Sequence, residues 1–317
     1  MRRALLAFGL ATGVAAALVP GGRSAAGAED DRPALVFADV TIVDGLGSAP
    51  RKGSIAVRDG RLRTAVPAGA RKISVEGAYL APGFVEPACR TGYAGADAEV
   101  TRELTPTLDA RDLVDPAHSA FAEGALEGCT TAVVVPGASN LVGGLVQAWH
   151  TTSPSGRAVP IDGTPKALAA AMGDAPTSGN FPPRFGATTS IYARRPTTRM
   201  GVVWMLRQTF LAAKGIQPAP DGADLGLLRE VLDGKRGLRL YANAVQDVNA
   251  ALRFGDEVGC SFVLEAACEG YLVKDELGRR KAPVIVGPLP DERTGRGPEG
   301  CDSALRNAAI LREAGCR

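Results

Sequence analysis

With 317 residues, 45% of them hydrophobic and 22% charged, the chain has an ordinary globular composition and is long enough to bury a large core, which argues against a disordered protein. The formal charge of +2 becomes −1 once Arg2, Arg3 and Arg23 of the amino-terminal leader are set aside, so no basic excess points to nucleic acid as a partner.

Residues 1–28 read as that leader. Arg2-Arg3 is followed by the apolar run Ala4 to Val19, then by small residues ending Ala26-Gly27-Ala28 ahead of Glu29-Asp30-Asp31. Charged, apolar and small-residue segments in that order are the pattern of a secretory signal peptide. The run falls short of the ~20 apolar residues that a bilayer span needs. The expectation is an exported protein, periplasmic or extracellular, with no stable membrane anchor after cleavage. The arginine pair is similar to that of a twin-arginine signal, which leaves the general and twin-arginine routes both open. The six cysteines, Cys89, Cys129, Cys260, Cys268, Cys301 and Cys316, are irregularly spaced and include no Cys-x-x-Cys. They read as small buried apolar residues, with no support for a structural zinc site.

Residues 29–80 alternate short β-like runs with turn signals: 34–37, 40–45, 53–57 and 58–62. The Asp59-Gly60 pair between two such runs predicts a two-residue hairpin. Beyond Tyr79, the run Tyr79 to Tyr93 reads as a strand. A helix is expected over 117–128, strands over 130–135, 143–150 and from 167, and a long surface loop over 174–196. Helices over 199–214 and 223–232 follow, then strand 238–243, helix 246–258, strand 261–265, helix 271–281, strand 283–286 and helix 303–313. Strands that alternate with helices and read as continuous apolar runs argue for parallel strands buried on both faces, hence an α/β fold of the (β/α) barrel type. The rival, a doubly wound open sheet, lacks its Gly-x-Gly-x-x-Gly fingerprint after a suitable strand.

Two motifs carry a family resemblance. Gly53-Ser54-Ile55-Ala56-Val57-Arg58-Asp59-Gly60-Arg61 and Pro82-Gly83-Phe84-Val85-Glu86 resemble the small β-domain and the first barrel strand of the amidohydrolase superfamily, in its imidazolonepropionase-like branch. The resemblance implies a small β-domain over 29–80 and a TIM-type (β/α) barrel over 81–317. That barrel would be incomplete, lacking its last strand and the aspartate at its end, with open edges available for self-association. It also implies hydrolysis of non-peptide carbon–nitrogen bonds in a small cyclic amide-like substrate by water on a divalent metal such as zinc or iron.

The ligand positions implied by that family have been vacated. Ala88 and Arg90 stand where a His-x-His would close the first strand, Tyr241 and Asn243 where a second would stand, and Ala266 where a further histidine is expected. Alanine offers no lone pair, and a guanidinium is donor-only and cationic. Only His118 and His150 remain in the whole chain, and each reads as a satisfied or solvated residue. Asp174 and Glu265 fall near strand ends and read as structural. A Gly-x-Ser-x-Gly elbow is absent, and Cys89 has no histidine placed to activate it. The expectation is a pseudoenzyme without a cofactor and with no catalytic residues, serving as a binding or scaffold protein or being the product of a decaying gene. The alternative is a working carbon–nitrogen hydrolase. Arg90, Tyr241, Asn243 and Glu269 are the expected contacts for a ligand, with Arg90 favouring a small anionic molecule, a carboxylate or phosphate.

Overall fold

The structure is a computed structural model, and it describes residues 5–8, 34–163, 166–178, 180, 195–220, 223–287 and 306–317. Most of the expected leader and most of the expected 174–196 loop lie outside the described residues. The chain divides into two compact units, residues 1–85 with 122–131, and residues 86–121 with 132–317.

The first unit holds one sheet. Its strands are β1 (Leu5–Phe8), β2 (Leu35–Ile42), β3 (Arg51–Arg58), β4 (Arg61–Arg63), β5 (Arg71–Ser74) and β6 (Tyr79–Pro82). They run in the order β1-β6-β2-β3-β4, with β5 also against β2. The expected hairpin forms at Asp59-Gly60, whose φ values of 53° and 67° are both left-handed, as a two-residue primed turn requires. The two β-like runs at 34–37 and 40–45 meet as the single strand β2. A bulge between Phe37 and Val40, with Asp39 at φ 61°, carries the chain from one to the other. Phe37, Val40, Ile42 and Leu80 form the buried core of this sheet. Gly83 of the Pro-Gly-Phe motif has a steric reason: a Cβ there would lie 2.2 Å from the Thr130 side chain.

The second unit is where the sequence expectation needs correcting. The remaining strands are β7 (Phe84–Cys89), β8 (Cys129–Val134), β9 (Val142–Leu145), β10 (Gln147–His150), β11 (Val159–Pro160), β12 (Leu168–Ala171), β13 (Leu238–Ala242), β14 (Val263–Ala266) and β15 (Val284–Val286), the first residues of β7 and β8 falling within the bounds of the first unit and all the rest within the second. Among the described residues they do not close into a TIM barrel. They form two open sheets, β11-β10-β8-β7 and β15-β14-β13-β12-β9, in which β12 to β15 are parallel and β9 runs antiparallel to β12. The expected strand 143–150 is two strands in different sheets. The chain breaks at Val146, whose N–H bonds the carbonyl of Ala167. Gly144 makes the bend possible: it sits at φ 130°, and a Cβ would lie 2.5 Å from the Leu108 carbonyl oxygen.

The helices are α1 (Ser119–Leu126), α2 (Arg199–Ala213), α3 (Leu225–Leu232), α4 (Val245–Val258), α5 (Lys274–Arg279) and α6 (Asn307–Glu313). Local chemistry sets their ends. Thr198 accepts from the Gly201 N–H at 3.1 Å, Asp224 accepts from Gly226 and Leu227, and Gly259 ends α4 at φ 65°. The expected helix over 271–281 opens as a 3-10 turn, Gly270–Val273, so α5 is shorter than expected. Helices α2 and α4 bury Leu206, Phe210 and Phe254 in one core with Leu168, Leu238, Leu240 and Leu264 of the parallel strands and with Met172, just past β12. Beside β15 the backbone of Arg317 donates to Ala282 and accepts from Val284, so one residue extends that edge in the parallel pattern. None of the five described cysteines is in a disulfide, and Cys301 lies outside the described residues. Among the described residues no helix is long and apolar enough to cross a membrane.

Candidate functional site

Strand β13 sets the site. Side chains alternate along a strand, so Arg239 and Tyr241 project to one face of the sheet. Register then places Glu265 of β14 opposite Tyr241. Arg239 and Glu265 are buried, at 7% and 5% exposure, and form an ion pair in which Arg239 Nε donates to Glu265 Oε2 at 2.9 Å. Arg239 Nη1 also donates to the Pro87 carbonyl at 2.6 Å, which ties β13 to β7 inside the second unit. Arg90, just past β7, lays its guanidinium over the Tyr241 ring at 5.8 Å from the centroid. These groups and the turn 136–138 line a cavity of about 10 Å³, together with Asn140 and the alanines of β12.

Of the positions singled out in the sequence, Arg90 and Tyr241 come together here. Ala88, Asn243, Ala266 and Glu269 do not line this cavity. Glu269 Oε2 accepts from the Val245 N–H at 2.7 Å, capping α4 where Ala244 offers no side-chain acceptor. Ala266 and Ala267 leave β14 with φ of 74° and 44°, a left-handed pair that is strained for residues with a Cβ. The fully buried Asn307 of α6 holds this turn by donating to the carbonyls of Ala267 and Cys268 at 2.8 and 3.1 Å. His118 accepts the Ala120 N–H on Nδ1 at the start of α1, and His150 is exposed at the end of β10. Asp174, after β12, lies 3.9 Å from Arg199, which donates to the buried Asp247 at 3.0 Å. Burial raises the Asp247 carboxyl above the usual range, against the opposing pull of Arg199.

The residue missed in the sequence is Arg239. Its signal was there: a charged side chain inside an apolar strand, two positions before a predicted pocket residue, must be buried on the same face and needs a partner. Glu265 was noticed, but without a partner.

The residues do not fit a divalent metal. At the five positions singled out from the resemblance stand two methyl side chains, a guanidinium, a phenol and an amide, with a second guanidinium close by at Arg239, so positive charge and no carboxylate or imidazole is offered there. Among the described residues no group of three or more His, Cys, Asp and Glu side chains could hold a metal ion.

Near the cavity, Tyr93 donates to Asp97 Oδ2 at 3.2 Å. Burial, followed by the charge of Asp97, pushes its phenol up to about 12. A raised acid in the folded state contributes stability that is complete below the ordinary tyrosine value and is lost as pH rises through about 12. In an ultraviolet titration, Tyr93→Phe is expected to remove a phenolate step near pH 12; persistence of that step in the variant would contradict the placement.

No protein-family model matches the chain, and no curated protein does. Among solved structures, the amidohydrolase from Thermotoga maritima MSB8 superposes with a TM-score of 0.74 at 25% identity, over 89% of this chain and 76% of that one. A second, described as an uncharacterized protein, gives 0.44 at 12% identity over 89% of this chain and 73% of that one, too low to carry an argument. With the Gly53 to Arg61 hairpin and the Pro82 to Glu86 approach leading into parallel strands of that likeness, the chain belongs to the amidohydrolase superfamily.

Proposed function

We propose that this is an exported amidohydrolase-fold protein, derived from the imidazolonepropionase-like branch, that has exchanged its metal centre for a buried ion pair and no longer hydrolyses carbon–nitrogen bonds. The observation that carries the reading is the Arg239–Glu265 pair, with Arg90 over Tyr241, at the cavity where β7, β13 and β14 converge. A hydrolase of this family needs a cation there to lower the pKa of water to ~7, and a second guanidinium opposes one. Export rests on the Arg2-Arg3, Ala4–Val19 and Ala26-Gly27-Ala28 pattern.

The test is elemental analysis of the purified protein after incubation with zinc, iron or manganese and exhaustive dialysis, beside assays with small lactams and hydantoins. The expected result is well under one metal per chain and no turnover. One tightly held metal per chain, with turnover that a chelator abolishes, would overturn the reading in favour of a working hydrolase.

A further inference from the structure

The cavity beside β13 is charged as well as small. Arg90, Arg239 and Glu265 line it, two guanidiniums against one carboxylate. Arg90 is exposed, forms no ion pair with a carboxylate among the described residues, and lies over the Tyr241 ring. Arg239 is more than nine-tenths buried, and although its Nη2 lies 2.8 Å from Glu265 Oε2, that nitrogen makes no hydrogen bond of acceptable direction. A buried cationic donor with an unused N–H calls for an acceptor, and an anion answers both the N–H and the surplus charge. A volume of about 10 Å³ is close to that of one water-sized sphere. A space of this size suits a single small ion better than a carboxylate or phosphate, each of which needs room for several heavy atoms.

We propose that this cavity binds a single monatomic anion, chloride being the common one, between the guanidiniums of Arg90 and Arg239. The ring of Tyr241 fixes the direction of Arg90, and the Glu265 carboxylate fixes Arg239, so both donors are held before the ion arrives. The inference rests on the proposed function in one respect, that no divalent metal occupies the neighbouring positions.

The full chain, dialysed into sodium gluconate, is titrated with sodium chloride at constant ionic strength and its thermal unfolding followed. The expected result is a saturable rise in Tm with chloride, with Arg90→Ala weakening the apparent affinity tenfold or more. Equal Tm in chloride and gluconate, or an unchanged chloride dependence in Arg90→Ala, overturns the proposal. Should Arg90→Ala not fold, crystals of the parent protein grown in bromide decide it: an anomalous peak between Arg90 and Arg239 supports the site, and no peak there overturns it. The metal analysis is read separately, so a metal-free protein with no chloride effect refutes the anion site alone.

Discussion

Arg239→Met is expected to destabilise the second unit by about 3–5 kcal/mol, because it leaves the Glu265 carboxylate buried and unpaired. The side chains of the pair are 8% and 7% exposed, so water cannot compensate the loss. The bond from Arg239 Nη1 to the Pro87 carbonyl goes as well, which loosens β13 from β7. Glu265→Leu leaves the opposite charge orphaned and should cost a similar amount. The double variant Arg239→Met/Glu265→Leu is expected to recover the whole loss and to lie between about the parent stability and a few kcal/mol above it, since desolvating two charges offsets their attraction. Urea unfolding of the four proteins gives the cycle. Single-variant losses below about 1 kcal/mol would show that the pair is solvated rather than buried.

Phe210→Ala should be as costly, at about 3–5 kcal/mol, through an unrelated mechanism. Phe210 lies on α2 with no exposed surface and packs edge-on against Phe254 of α4, with ring centroids 5.1 Å apart and planes at 90°. Removing the ring forfeits both its burial and that contact, and the cavity left between two helices pressed on a sheet of alanines and leucines has little to collapse into. Calorimetry should show the transition of the second unit falling by roughly 10 °C. Phe210→Leu, which keeps most of the volume, should lose less than half as much. Equal losses for the two substitutions would mean that the site relaxes freely and the packing argument fails.

The family and most elements were legible in the residues because they depend on local chemistry. Asp59-Gly60 makes its turn from its own backbone preferences, and the apolar runs at 238–242 and 263–266 are strands because parallel strands are buried on both faces. Pro82-Gly83-Phe84 names its ancestry through Gly83, which no other residue could replace so close to Thr130. The scarcity of imidazoles is likewise legible by counting, since the chain holds two histidines.

By itself, then, the sequence determined the superfamily, most of the succession of strands and helices, and which residues stand at Ala88, Arg90, Tyr241, Asn243 and Ala266. Tertiary structure alone decided what those positions became. Arg239 and Glu265 are 26 residues apart, and only the register of β13 against β14 makes them a pair. Glu269, a further candidate for the pocket in the sequence, accepts the amide of Val245 beyond the turn after β14. The break of the expected 143–150 strand into two sheets likewise had no local sign beyond two glycines, because it depends on the Leu108 and Ala167 carbonyls. Periodicity reports which residues want to be buried, whereas pairing across a sheet is set by which strands become neighbours, and that is a property of the whole chain.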